Sequence, residues 1–156
     1  MAKGRTQEQE DQPPTEPILR INTTAHTARI NRIATDRENQ YAVTASDDKT
    51  ARIWSLPHGG LVTTLRMPIG DGDIGQLYAV AITPDGSTIA LGGYTKAVGT
   101  DVYLFDGASG ALQRRLSGLP NVVPHLAYSP DGRLLAATLG GSNGSAFTTS
   151  IVAMDC

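Results

Sequence analysis

The triplet Pro-Asp-Gly occurs twice, at residues 84–86 and 130–132, and the two copies stand 46 positions apart. Proline presets the backbone of a turn's first central position. Asp and Gly then supply a side-chain acceptor and a residue that tolerates a left-handed conformation. Short apolar runs flank each copy: Leu77–Thr83 and Ser87–Gly92 around the first, His125–Ser129 and Arg133–Thr138 around the second. A third hairpin is written upstream, where Ala28–Thr35 and Tyr41–Ser46 flank the polar turn 36–40. Thr35 and Thr83, each closing a first strand, are 48 positions apart. Further strands follow at Thr50–Trp54 and Leu61–Arg66, at Asp101–Phe105 and Ala111–Leu116, and at Phe147–Met154. A period slightly above forty residues with up to four short strands per unit predicts a repeat fold, each unit one antiparallel sheet. The 17 glycines and 9 prolines suit a chain of turns, and no segment carries the i, i+3, i+4, i+7 apolar pattern of a long helix.

The first unit carries a second signal. Between His26 and Trp54 lie four residues with polar handles, His26, Thr44, Asp48 and Trp54, the last two within Asp-x-Thr-x-Arg-x-Trp at 48–54. A buried indole N–H needs an acceptor, a hydroxyl can accept and pass a proton on, and a carboxylate can hold an imidazole. This spacing resembles the structural tetrad of a WD-repeat β-propeller blade, although Ser55 stands where that family usually has Asp. The resemblance implies an all-β fold: a partial β-propeller, an incomplete ring of about three four-stranded antiparallel blades. Blade one would span about 26–66, blade two about 74–116 and blade three about 120–156, with 17–22 as an extra edge strand. At the tetrad positions blade two would have Ile74, Gly92 and Phe105, and blade three Pro120, Thr138 and Met154. Those residues predict apolar packing in place of a polar chain.

Composition narrows the function. Hydrophobic residues make up 40 % and charged residues 18 %, enough apolar content for a packed core. Residues 1–16 are polar, with Pro13-Pro14, and read as a disordered tail. That tail carries Lys3 and Arg5 against Glu8, Glu10, Asp11 and Glu16, which accounts for the net charge of −2. A neutral body argues against a nucleic-acid partner. No apolar run approaches the roughly 18 residues that cross a bilayer, and the N-terminus lacks an apolar secretory core, so no membrane role is expected. The one cysteine, Cys156, allows no internal disulfide and is compatible with a reducing, cytoplasmic setting.

Two glycine-rich motifs match catalytic patterns only in letter. Gly70-Asp-Gly-Asp-Ile-Gly75 fits a dinucleotide fingerprint, but a strand follows it rather than a helix, and Asp71 and Asp73 would repel phosphate. Those two carboxylates also fall short of a calcium shell of about six to eight oxygens. Gly140-Gly-Ser-Asn-Gly144 fits a nucleophile elbow, yet only one strand follows it. His26, His58 and His125 show no metal-ligand spacing. No cofactor or metal is expected.

The resemblance also implies a partner face at the strand-four to strand-one loops and the strand-two to strand-three turns. In blade one its exposed positions are Arg29, Asn31 and Asp47. Carried along the repeat they give Leu77, Ala79 and His125. The expectation is a non-catalytic protein-interaction scaffold that takes other proteins or peptides. Two other readings stand beside it: the N-terminal portion of a larger propeller protein fused to a peptidase or kinase domain, and a propeller hydrolase or lactonase. The last needs a central cluster of carboxylates and histidines that this sequence does not show. An open fan of blades leaves sheet faces bare, so self-association is also expected. Residues 17–22 would then supply the missing strand of blade three in a second copy, closing a six-blade ring with two-fold symmetry.

Overall fold

A computed structural model describes residues 24–96, 99–140 and 150–155, the last stretch by its backbone. The tail 1–16, the strand expected at 17–22, residues 141–149 and Cys156 lie outside the described residues. Among the described residues there are eleven strands: β1 Ile30–Thr35, β2 Tyr41–Ser46, β3 Thr50–Ser55, β4 Leu61–Arg66, β5 Leu77–Ile82, β6 Thr88–Gly93, β7 Thr100–Asp106, β8 Leu112–Leu119, β9 His125–Tyr128, β10 Leu134–Leu139 and β11 Ser150–Asp155. They form three separate antiparallel sheets in the orders β1-β2-β3-β4, β5-β6-β7-β8 and β11-β10-β9. These are the blades of a partial, unclosed propeller. Blade three has three strands among the described residues.

Each blade opens with the same hairpin, and the side chain that closes it differs. In blade two, Thr83 Oγ1 accepts from the Thr88 amide at 2.9 Å. In blade three, Ser129 Oγ accepts from the Leu134 amide at 2.9 Å. In blade one, Asp36 Oδ1 accepts from the Tyr41 amide at 2.7 Å. Thr83 is therefore the counterpart of Asp36, not of Thr35, and blades one and two are offset by 47 residues rather than 48. The turn residue three positions later adopts positive φ in all three: Asn39 at 51°, Gly86 at 75° and Gly132 at 74°. Glycine meets that demand without strain, and asparagine is the side chain that tolerates it best.

Alternation along the strands builds two cores between three sheets. Val43, Ala45, Ala51, Ile53, Leu65 and Met67 of blade one bury against Leu77, Val80, Ile82, Ile89, Leu91, Tyr103 and Phe105 of blade two. The opposite face of blade two, with Ala79, Ala81, Ala90, Val102 and Leu104, buries against Val123, Leu126, Leu135, Ala137 and Leu139. At both seams the first two strands of the earlier blade contribute small residues, Ala45 in one and Ala79, Ala81 and Ala90 in the other, against larger side chains of the blade after. Gly92 marks how close the second contact is. A Cβ there would stand 3.0 Å from Val123 Cγ1 and 3.3 Å from Leu126 Cδ1. At the strand-one to strand-two turns, Arg37 ties all three blades. Its amide donates to Pro84 O at 3.0 Å and its guanidinium to Pro130 O at 2.7 Å. A polar cavity of about 660 Å³ opens there, lined by Arg37, Asp85, Asp131 and Arg133 among others.

Candidate functional site

Along blade one, from the turn between β2 and β3 toward the opposite end of the sheet, His26, Thr44, Asp48 and Trp54 form one hydrogen-bonded chain. The Trp54 indole N–H donates to Thr44 Oγ1 at 2.9 Å. The Thr44 hydroxyl, having accepted, turns its own hydrogen to His26 Nε2 at 2.7 Å. The imidazole proton then sits on Nδ1 and donates to Asp48 Oδ2 at 2.8 Å. Asp48 also accepts from the Thr27 amide and, through Oδ1, from the Thr50 amide and hydroxyl. His26 and Asp48 side chains are only 3 % and 5 % exposed. Burial alone would raise the Asp48 carboxyl, but the bonds from Thr50, His26 and Thr27 outweigh it and hold the pKa at about 2. Asp48 therefore stays ionised across the physiological range. The hydrogen-bonded chain does structural work, pinning the loop that enters β1 to the turn between β2 and β3.

Blades two and three fill the same positions differently, and the register corrects the sequence expectation. Thr44 lies opposite Ile33, and the matching pairs are Leu91 with Val80 and Ala137 with Leu126. The counterparts of Thr44 are thus Leu91 and Ala137, not Gly92 and Thr138. Phe105, opposite Ile89, does stand where Trp54 stands opposite Ala42, and Met154 takes that register position opposite Leu135.

Blade two is not held by apolar packing alone. Asp101 is wholly buried at 0 % exposure, and Lys96 Nζ reaches its two carboxylate oxygens at 2.8 and 2.6 Å, with Arg115 Nε at 3.7 Å. The Asp101 amide donates to Thr95 Oγ1 at 2.7 Å, and the Thr100 hydroxyl donates to Gly93 O at 2.9 Å. This second polar cluster ties together the described residues on either side of the strand-two to strand-three connection, which in blade one Asp48 anchors. Its residues look like surface loop residues in the sequence.

The loop face itself is set by one backbone bond repeated three times. The Asp47 amide donates to Arg29 O at 3.0 Å, the Tyr94 amide to Gln76 O at 3.0 Å, and the Gly140 amide to Val122 O at 2.9 Å. In blade one, Arg29 and Asp47 also pair at 3.2 Å. Asn31 Nδ2 bridges Asp47 Oδ1 at 2.6 Å and Leu77 O at 2.9 Å, joining blade one to blade two. The counterparts of Arg29, Asn31 and Asp47 are therefore Gln76, Tyr78 and Tyr94 in blade two and Val122, Pro124 and Gly140 in blade three. Leu77 and Ala79 are 0 % exposed and cannot meet a partner. His125 is exposed, but it pairs with Thr138 as Ala79 pairs with Gly92, so it belongs to the sheet face and not to the loop face. A one-residue slip in a strand exchanges its two faces. Tyr78 and Tyr94 are half-buried, and the Tyr78 hydroxyl donates to Gln76 Oε1 at 2.6 Å. Burial first, then the Asp47 and Asp73 charges, push the Tyr78 phenol up.

The glycine-rich segment 70–75 folds as a tight turn, with the Ile74 amide on Asp71 O, and leads into β5. Of Gly140–Gly144, only Gly140 is among the described residues. Among the described residues no three of His, Cys, Asp and Glu gather into a group that could hold a metal, and no helix is long and apolar enough to cross a membrane.

This geometry defines a propeller whose first blade is organised by the WD-repeat tetrad. Residues 18–55 match the family model of the WD domain, G-beta repeat. Over 94 residues the chain is 29 % identical to Coronin-7 of Rattus norvegicus, and equally to Coronin-7 of Mus musculus, covering 59 % of this chain and 10 % of each relative. The chain thus spans about a tenth of the length of the curated relatives it matches. A solved structure, Kuenenia stuttgartiensis Hydrazine Synthase, superposes with a TM-score of 0.66 at 12 % identity, over 89 % of this chain and 36 % of that one, which speaks for the fold alone. The WD-repeat match covers residues 18–55, and the described residues fold as a partial β-propeller.

Proposed function

We propose that this chain is a non-catalytic protein-interaction scaffold that takes other proteins or peptides on its loop face, within the cytoplasm. The observation that carries the reading is the repeated backbone bond that gives Arg29 with Asp47 and Gln76 with Tyr94 the same place in successive blades, while Asn31 joins the two blades through Leu77 O. Two tyrosines next to an Arg–Asp pair combine apolar area with polar handles, the composition that dominates binding energy in protein interfaces. Blade three contributes Val122, Pro124 and Gly140, so the chemistry of this face is concentrated on blades one and two.

The test is capture of the partner by immobilised protein. Arg29→Glu/Asp47→Lys and Tyr78→Ala/Tyr94→Ala should each weaken capture at least tenfold while the melting temperature stays within a few degrees. Capture unchanged in both variants would remove this face from the interaction. The coverage of one tenth of the coronin relatives favours a second reading, in which these blades serve as one part of a larger propeller protein. In that case the same face would act together with blades beyond this chain.

A further inference from the structure

The two end blades of this chain carry complementary faces. Register equates Ile33 with Val80 and Leu126, and the backbone bond repeated at Arg29, Gln76 and Val122 extends the match to the next residues, Ile30, Leu77 and Val123. Within the fan those positions are the inserting ridge: Leu77 and Val123 are 0 % exposed, Val80 and Leu126 2 %. In blade one the same positions are bare, with Ile30 at 51 % and Ile33 at 61 %. Nothing about their residue type sets them apart. They are exposed because, among the described residues, no blade packs against them.

The opposite end shows the converse. Blade two receives blade three on Ala79, Ala81, Ala90 and Gly92, all buried small residues. The matching positions of blade three are His125, Ala127, Ala136 and Thr138, of which His125 and Ala127 are exposed and Ala136 and Thr138 half-buried. Two alanines again stand at the centre of the receiving face, and strand β11 beside it has no further strand on its outer edge among the described residues.

We propose that the bare ridge of one copy, Ile30 and Ile33, seats on the receiving face of a second copy around Ala127 and Ala136, and the reverse. Unlike faces that meet this way close a ring when the rotation between subunits is a half-turn, so two copies give two identical contacts and six blades. Each contact repeats the one already made twice inside the chain. It buries two isoleucines against a face too small-sided to fill the space by itself. Closure also removes the bare sheet face at each end, the feature that exposes an open fan to uncontrolled association.

Light scattering on the full chain after size exclusion gives the first test, with a mass of twice 16.4 kDa expected. Ile30→Asp/Ile33→Asp spoils the ridge, and Ala127→Arg/Ala136→Arg spoils the receiving face. Each variant alone should run at the single-chain mass. An equimolar mixture should recover doubled mass, because one contact then joins an intact ridge to an intact receiving face and the other sets the introduced Asp side chains against the introduced Arg side chains. Should a variant fail to fold, Ile33→Cys/Ala136→Cys in a Cys156→Ser background decides the matter. A closed ring gives an intermolecular disulfide and a covalent dimer under mild oxidation. A single-chain mass for the unaltered protein, an open ladder of larger assemblies, or no cross-linked dimer would overturn the proposal. The single-chain mass or the ladder would assign these faces to further blades of a longer chain.

Discussion

Trp54 and His26 are joined through one hydroxyl: Thr44 Oγ1 lies 2.9 Å from the indole nitrogen and 2.7 Å from the imidazole Nε2. Replacing Thr44 by Val keeps the shape and removes both bonds, leaving a donor and an acceptor without partners in a site that is 6 % exposed at Thr44. The expected loss is about 2 kcal/mol, read as a lower urea midpoint. Thr44→Ser retains the hydroxyl and should recover most of it. Equal loss in Val and Ser variants would mean that the methyl group, not the hydroxyl, matters there.

Asp48 predicts acid sensitivity with a defined sign. Its carboxyl is held at about 2 in the fold against an ordinary value of 3.8. A depressed acid stabilises the fold above the ordinary value, and that stability is lost as pH falls through the folded value. The window is therefore roughly pH 4 down to pH 2, worth at most about 2.5 kcal/mol. Asp48→Asn should cost stability at pH 6 and converge on the unaltered protein near pH 2. Parallel stability curves over that range would contradict it. Asp85 is likewise held at about 2 by Thr83 and Ser87, but it is exposed, and solvent screening leaves its share small.

Gly92 predicts a packing defect confined to one seam. A Cβ would press on Val123 and Leu126, so Gly92→Val must push blade three off blade two. The expected cost is about 1–3 kcal/mol, with Gly92→Ala at the low end. Amide exchange should quicken in β9 and β10 while β2 and β3 keep their protection. Uniform loss through all three sheets would show that the blades do not respond separately.

Asp101 predicts a penalty for removing its partners rather than the acid. Lys96→Met/Arg115→Met leaves a wholly buried carboxylate without a nearby cation, a defect of about 3 kcal/mol. Asp101→Asn, which keeps an acceptor and sheds the charge, should cost less. Chemical denaturation of the two variants side by side decides the order.

The tetrad was legible in the sequence because its four residue types are chemically distinct and their spacing spans a complete blade. The period was legible from Pro-Asp-Gly, whose turn chemistry few other triplets share. The register between blades one and two was not. Thr35 and Thr83 look alike, but the turn of blade one is closed by Asp36, and strands β1 and β5 each carry a bulge, at Asn31 and Tyr78, that shifts the count within the strand. A miscount of one residue in a period-two element selects the wrong face, which is how Leu77 and Ala79 stood in for Gln76 and Tyr78. The Thr95–Asp101 cluster left no trace either, since nothing in the order of its letters announces that Asp101 is buried.

Asp36, Thr83 and Ser129 each close a hairpin with a side-chain bond that reaches only five residues along the chain. The earliest steps of folding are therefore cheap in loop-closure entropy, and each sheet can nucleate on its own turn before any blade meets its neighbour. The slow step then falls on docking sheet against sheet, so the folding rate of this chain should follow substitutions at the seams, such as Gly92, more than substitutions within a hairpin.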